Sequence, residues 1–314
     1  MENLPVIVIR FALYADLMVL AGMVAFSLYA LSSEERTSGI LSLRKTTVGL
    51  SLIGLLLSGF GMLALAAAMA GSSVWAVDGE ILREIIGESA IGTAWIVRMV
   101  AMVIAVLAAS ALDRRPSAAR LVLLVSTALA IATLVWTGHA GATEGWIGTV
   151  HQLSDIIHML AAAVWFGGIA AFSWMLLRPI ARPANEHVSV AHRALEQFTR
   201  VGTITVGLLV ATGLINSLIL MGWPSLSRLL ASLYGQLLLA KLGLFGAMLA
   251  LAAANRWRLT PALGAALGSA DVAADVAPAI RDLRRSLILE CAAALAILAL
   301  VAWLGTLDPP VAAG

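Results

Sequence analysis

The sequence predicts an all-α protein, a polytopic membrane helical bundle of about eight transmembrane helices with both termini extracytoplasmic. Three observations lead there. Eight apolar runs of roughly 20 residues or more divide the chain, each long enough to cross a hydrocarbon core of ~30 Å. Of the 314 residues, 61% are hydrophobic and 12% charged, and the mean hydropathy is +0.96, which leaves too little polar surface for a domain that faces water. None of the runs alternates polar and apolar residues as barrel strands do, so the backbone must satisfy its own hydrogen bonds as helix.

The runs lie at about residues 5–31, 46–71, 93–112, 119–138, 151–177, 201–222, 234–255 and 286–305. The first, from Pro5 to Leu31, exceeds a signal-peptide core and follows Glu2 instead of a basic cluster, so it reads as a retained helix. The second carries Gly54, Gly59 and Gly61, small residues that let helices approach closely. An acidic stretch, 72–92, with Asp78, Glu80, Glu84 and Glu88, leads to the third. The fourth and fifth flank a Gly-rich turn, 138–150, with histidines at its edges. Gly167 and Gly168 in the fifth run, and Gly243 and Gly246 in the seventh, repeat the small-residue pattern. The stretch from Ala262 to Ala279 is rich in Ala, Gly and Asp, lacks a spanning period, and reads as a flexible connector to the eighth.

Basic residues orient the bundle. One set of loops carries fifteen Lys and Arg residues, from Arg36 to Arg285, against Arg83 and Arg228 in the other, which puts the first set in the cytoplasm. The net charge of +2 is dispersed among these loops, so it reads as a topology signal and not as a nucleic-acid surface.

Three of the five histidines bracket one extracytoplasmic turn: His139 ends the fourth run, His151 opens the fifth, and His158 follows seven residues on. That spacing is nearly two helical turns, so His151 and His158 share a face, with Asp155 between them. Antiparallel neighbouring helices would bring His139 to the same place. Imidazole suits copper, zinc, iron and nickel, and the thioether of Met159 adds a preference for Cu(I). His139, His151, His158 and Met159 are therefore the candidate metal ligands, set against the plainer reading of interfacial caps and an apolar filler. Met69, Met99, Met102 and Met221 fall in outer halves of other helices.

Ionisable groups inside spans are costly and mark function by default. Asp16, Lys241 and Glu290 are such groups, and Asp155, Asn216 and Tyr234 add polar atoms. Depth along the helices allows an Asp16–Lys241 ion pair, functional or purely structural, and Glu290 falls within reach of Arg256 or Asn255. Arg10 and Arg98 lie near outer ends, where snorkelling is expected. His187 and His192 sit in an Arg-bearing loop and read as solvated. The lone Cys291 excludes an intrachain disulfide and a cysteine zinc cluster. No phosphate-binding glycine loop, nucleophile elbow or zinc-protease helix is present, which leaves ATP-driven transport and hydrolysis without a signature and a passive, gradient-driven or redox role open; a transporter or metal-binding membrane protein, not an enzyme, is expected.

Several motifs in order resemble the CopD/PcoD copper-resistance membrane proteins. They run Gly138-His139-Ala140, then His158-Met159-Leu160-Ala161-Ala162-Ala163-Val164-Trp165-Phe166-Gly167-Gly168, then Tyr234-Gly235 ahead of Lys241, Asn255-Arg256, Leu283-Arg284-Arg285-Ser286 with Glu290, and Leu304-Gly305-Thr306. The resemblance covers essentially the whole chain and is strongest after residue 198. It implies an N-terminal membrane half, 1–178, with the histidine-bearing region, and a CopD-like domain, 198–310. It also implies a multi-pass protein of the bacterial inner membrane that handles the copper ion between periplasm and cytoplasm, beside a periplasmic CopC-type protein. No CopC-like domain is expected within the chain, which starts directly in its first helix. A haem-binding membrane oxidoreductase of the cytochrome b type is the competing reading, since histidines on membrane helices can be axial ligands. A copper-binding sensor or assembly factor is a third.

Overall fold

The computed structural model describes residues 4–37, 39–177, 184–222, 226–269 and 272–309. Eight helices are long and apolar enough to cross a membrane, and no strand occurs among the described residues. They are α1 (Leu4–Tyr29), α2 (Leu43–Ala70), α3 (Ala90–Ser110), α4 (Pro116–Ala132), α5 (Gly145–Leu177), α6 (Ala184–Met221), α7 (Leu233–Ala254) and α8 (Val272–Leu304). Local signals set several starts. Pro116 opens α4 with its fixed φ, Ser89 Oγ accepts from Gly92 N at the head of α3, and Ser232 Oγ does the same for Gly235 N at α7. Gly71 ends α2 at φ 61°, the left-handed conformation that a residue with a Cβ adopts at a cost.

Several helices outrun their apolar runs. α5 begins at Gly145, α6 at Ala184 and α8 at Val272, because amphipathic turns continue the spiral past the hydrocarbon edge. The expected flexible connector at 262–279 is largely helical: Thr260–Leu267 forms one helix and α8 occupies the rest from Val272. The acidic stretch likewise folds, as a helix Gly79–Glu88 capped by Asp78. α4 tightens into a 3-10 turn, Thr133–Thr137, and His139 heads a separate short helix, His139–Ala142.

α1 is the hub. It packs against α2, α4, α5, α6 and α8, and Leu17, Leu20 and Phe26 on it are fully buried. Its crossing with α5 is glycine on glycine: a Cβ at Gly22 would stand 2.6 Å from Gly167 Cα, so only two hydrogens let the backbones meet. Gly54 is tight as well, facing α1 and α3 through Asp16 and Met102. The expectation of close packing fails at Gly59, Gly243 and Gly246, where open space lies along the missing Cβ. At one end of the bundle, called here the histidine end, Arg10 donates to Gly305 O at 2.7 Å and to Thr137 O at 3.0 Å, tying α1 to the last carbonyls of α8 and of the α4 turn. At the opposite, arginine-rich end, Arg36 caps α1 through Ser27 O, Leu28 O and Leu31 O. Arg98 does not snorkel. It is buried, its Nε donating to Ser58 Oγ at 2.7 Å, because α2 and α3 close over it.

Candidate functional site

α1, α5, α6, α7 and α8 enclose a cavity of about 190 Å³ at the histidine end. His139, His151, His158 and Met159 line it, together with Asp155, Asn216, Tyr234 and Lys241. Packing of the short His139 helix against α5 brings the first two histidines together, and α5's own period presents Asp155, His158 and Met159 one to two turns further in.

Each imidazole is held by one nitrogen, and counting hydrogens assigns the tautomers of His139 and His158. His139 Nε2 lies 3.2 Å from Leu304 O, and a carbonyl only accepts, so Nε2 carries the hydrogen. Thr143 Oγ1 lies 3.1 Å from His139 O and 2.9 Å from His151 Nδ1, so that hydroxyl holds the His151 ring through Nδ1. The same holds at His158. Thr212 Oγ1 donates to Leu208 O at 2.6 Å and receives Nδ1–H of His158 at 2.9 Å. In the neutral form His139 therefore keeps Nδ1 bare and His158 keeps Nε2 bare. This is the arrangement in which a histidine, oriented through its N–H, presents a lone pair to a metal.

The histidines share the cavity but do not meet at a point. Among the described residues no group of three His, Cys, Asp or Glu side chains stands close enough to hold a metal ion. Thioethers are the remaining soft donors: Met159, Met18 and Met221 line the same cavity, while Met69 faces outward and Met99 and Met102 belong to α3, away from it. His192 is half-buried and packs on the Thr260–Leu267 helix, where a Cβ at Gly264 would come within 2.8 Å of its Nε2. That differs from the solvated position expected. The side chain of His187 lies outside the described residues.

The expected Asp16–Lys241 pair does not form. Tyr14 and Met18 line the cavity, and Asp16 lies two residues from each, so at 100° per residue it faces the opposite way, onto Gly54 and Met102. Both its oxygens lack a hydrogen-bond partner among the described residues. Lys241 does face the interior, where the acidic group that acts on its charge is Asp155. Asp155 Oδ1 also accepts from Asn216 Nδ2 at 3.2 Å, and Tyr234 stacks edge-on to His139 with centroids 6.1 Å apart. Glu290 stands elsewhere, on α8 near the arginine-rich end. It accepts from Asn255 Nδ2 and, at 3.4 Å, from Ser286 Oγ.

Sequence reasoning missed Met18, Thr143 and Thr212. The threonines carry no signal of their own, since Thr212 gains its role only because α6 packs beside α5. A larger, mostly apolar chamber of about 410 Å³ adjoins the histidine cavity and shares His158, Lys241 and Met18 with it.

Comparison with known proteins now places the chain. Residues 1–149 match the family described as Copper resistance protein D-like, N-terminal domain, and residues 192–304 match Copper resistance protein D. The chain is 40% identical over 315 residues, the full length of both, to Copper resistance protein D of Pseudomonas syringae pv. tomato. It belongs to the Copper resistance protein D family. A second family relative, Inner membrane protein YebZ of Escherichia coli (strain K12), is 30% identical over 206 residues, 66% of this chain and 68% of the relative. A third, Copper transport protein CutJ of Bacillus subtilis (strain 168), is 32% identical over 179 residues, 55% of this chain and 31% of the relative. No solved structure matches the chain. The second family segment contains Asn216, Tyr234, Lys241 and Glu290, the first contains Asp16 and His139, and α5 with His151, Asp155, His158 and Met159 falls mostly between them.

Proposed function

We propose that this protein captures a copper ion in the histidine cavity, on the extracytoplasmic face of a bacterial inner membrane, and passes it across the bilayer. The observation that carries the reading is the set of three imidazoles in one cavity, each oriented by a hydrogen bond at one ring nitrogen, with thioethers beside them. Imidazole and thioether together suit Cu(I), which is content with two or three soft ligands, so a site without three convergent histidines still fits it. Support for transport comes from the adjoining chamber, which continues from His158 and Lys241 to Trp165 and Phe245. Asp155 shares the cavity with Lys241, and its carboxylate offsets part of the ammonium charge that an incoming cation meets. The relatives named for copper resistance and copper transport agree with this cargo, and the relative named as an inner membrane protein agrees with the location. Copper is cargo here, the protein acts as a permease and not an enzyme, and a soluble CopC-type protein is the proposed source of the ion. The halves 1–178 and 198–310 are proposed to act as one unit around the cavity.

The test is copper content of the purified protein, measured for single variants at matched abundance. His158→Ala is expected to lose copper and the copper-dependent phenotype, whereas His187→Ala and His192→Ala retain both. Full copper stoichiometry in His158→Ala, with loss in a variant from the arginine-rich end, would place the site on the wrong side.

A further inference from the structure

A third cavity, of about 230 Å³, opens at the arginine-rich end between α5, α6, α7 and α8. Its polar wall includes Glu290 and Asn255, which are 2% and 6% exposed, beside three threonines and Arg256. Three features single it out. The carboxylate of Glu290 lies in a membrane span, and a buried charge there calls for a compensating positive charge. The basic side chain that lines the same cavity, Arg256, is engaged with other wall residues: it donates to Thr203 Oγ1 at 2.9 Å and lies 5.7 Å over the Trp257 ring. Among the described residues no ion pair reaches Glu290. The second feature is Asn255 Oδ1, a buried acceptor without a partner, on the same amide whose Nδ2 is given to Glu290. Third, the backbone widens here into a π-helix, Asn255–Leu259, closed by Thr260 Oγ1 donating to Asn255 O at 2.8 Å. Such bulges concentrate at functional sites because they turn a side chain out of the regular spiral.

We propose that Glu290, Asn255 and Ser286 form a binding site for one small, hard monovalent cation of the sodium class. Every donor that they offer is oxygen, from carboxylate, amide carbonyl and hydroxyl, which suits hard cations and is unsuited to Cu(I). A single cation held between Glu290 and Asn255 Oδ1 neutralises the one carboxylate and satisfies the one orphan acceptor together. The site is distinct from the histidine cavity in position and in ligand chemistry. Its role as the coupling site of a gradient-driven permease rests on the transport reading above, but the binding itself does not.

The experiment uses the full-length, copper-free protein in lipid nanodiscs at constant pH and ionic strength, with sodium chloride exchanged against choline chloride. Bound radiolabelled sodium and the fluorescence of Trp165 and Trp257, both at the cavity wall, are the readouts. Wild type is expected to bind sodium saturably, one ion per chain, with a matching fluorescence change. Glu290→Gln is expected to lower the affinity by about tenfold or more, and Ser286→Ala to lower it severalfold, which covers the case in which Glu290→Gln fails to fold. Absence of saturable sodium binding to wild type overturns the proposal, as a carboxyl group that merely takes up a proton would give. Unchanged binding in a folded Glu290→Gln overturns it too. Copper content, measured separately, reports on the histidine cavity alone, so the two readings fail independently.

Discussion

The hydroxyl of Thr212 performs two tasks, giving its hydrogen to Leu208 O and accepting Nδ1–H of His158. Thr212→Val keeps the shape and removes the acceptor. The imidazole then keeps only its bond to the Leu209 backbone, so its bare nitrogen is aimed less firmly. Loss of such an orienting group costs roughly 10–100-fold in metal affinity. Thr212→Val is expected to weaken copper binding by about that much, and Thr212→Ser to restore it, while interhelical bonds of this kind contribute only ~0.6–2 kcal/mol to stability. A competition titration with a calibrated copper chelator checks the affinity. If Thr212→Val and wild type compete equally, the threonine does not position the ring.

At the scale of elements, the α1–α5 crossing decides how close the bundle packs. Gly22→Leu has no room, because a single Cβ already meets Gly167 Cα and Ala163 backbone atoms, so the helices must separate. Overpacking of this kind costs ~1–3 kcal/mol and more where backbone blocks relief. Gly22→Leu is expected to lower the melting temperature of detergent-solubilised protein sharply or to prevent folding. Gly243→Ala and Gly246→Ala, with open space at Cβ, are expected to be neutral or to gain up to ~1 kcal/mol from helix propensity. Equal melting temperatures for Gly22→Leu and wild type would contradict the crossing. The glycines look alike in sequence, and only the packing separates those that a neighbour presses from those that face open space.

For the whole molecule, the asymmetry of basic residues proposes that the histidine end is extracytoplasmic. A Cys291→Ser background leaves the chain without a cysteine. On that background Trp146→Cys, at a position 77% exposed at the histidine end, is expected to react with a membrane-impermeant maleimide in intact spheroplasts. Arg285→Cys at the opposite end is expected to react only after permeabilisation. The reverse pattern would invert the bundle and put copper capture in the cytoplasm.

The amino-acid sequence by itself determined the eight spans, the all-helical class and the family. Each depends on what is local: an apolar stretch must cover the hydrocarbon and a helix is the way its backbone satisfies itself, wherever its neighbours lie. It also named most of the polar side chains that line the cavity, and His151, Asp155 and His158 share a face by helical period alone. Choice of partner was beyond it. Similar depth allowed Asp16 and Lys241 to pair, yet the rotation of α1 about its axis, with Gly22 seated on Gly167, turns Asp16 to α2, while Lys241 shares its cavity with Asp155. Arg98 looked free to snorkel until α2 covered it, and Thr212 became the support of His158 only through the α5–α6 contact. Depth is written along one helix, whereas azimuth is set by the surfaces of two, and only the tertiary structure contains the second surface.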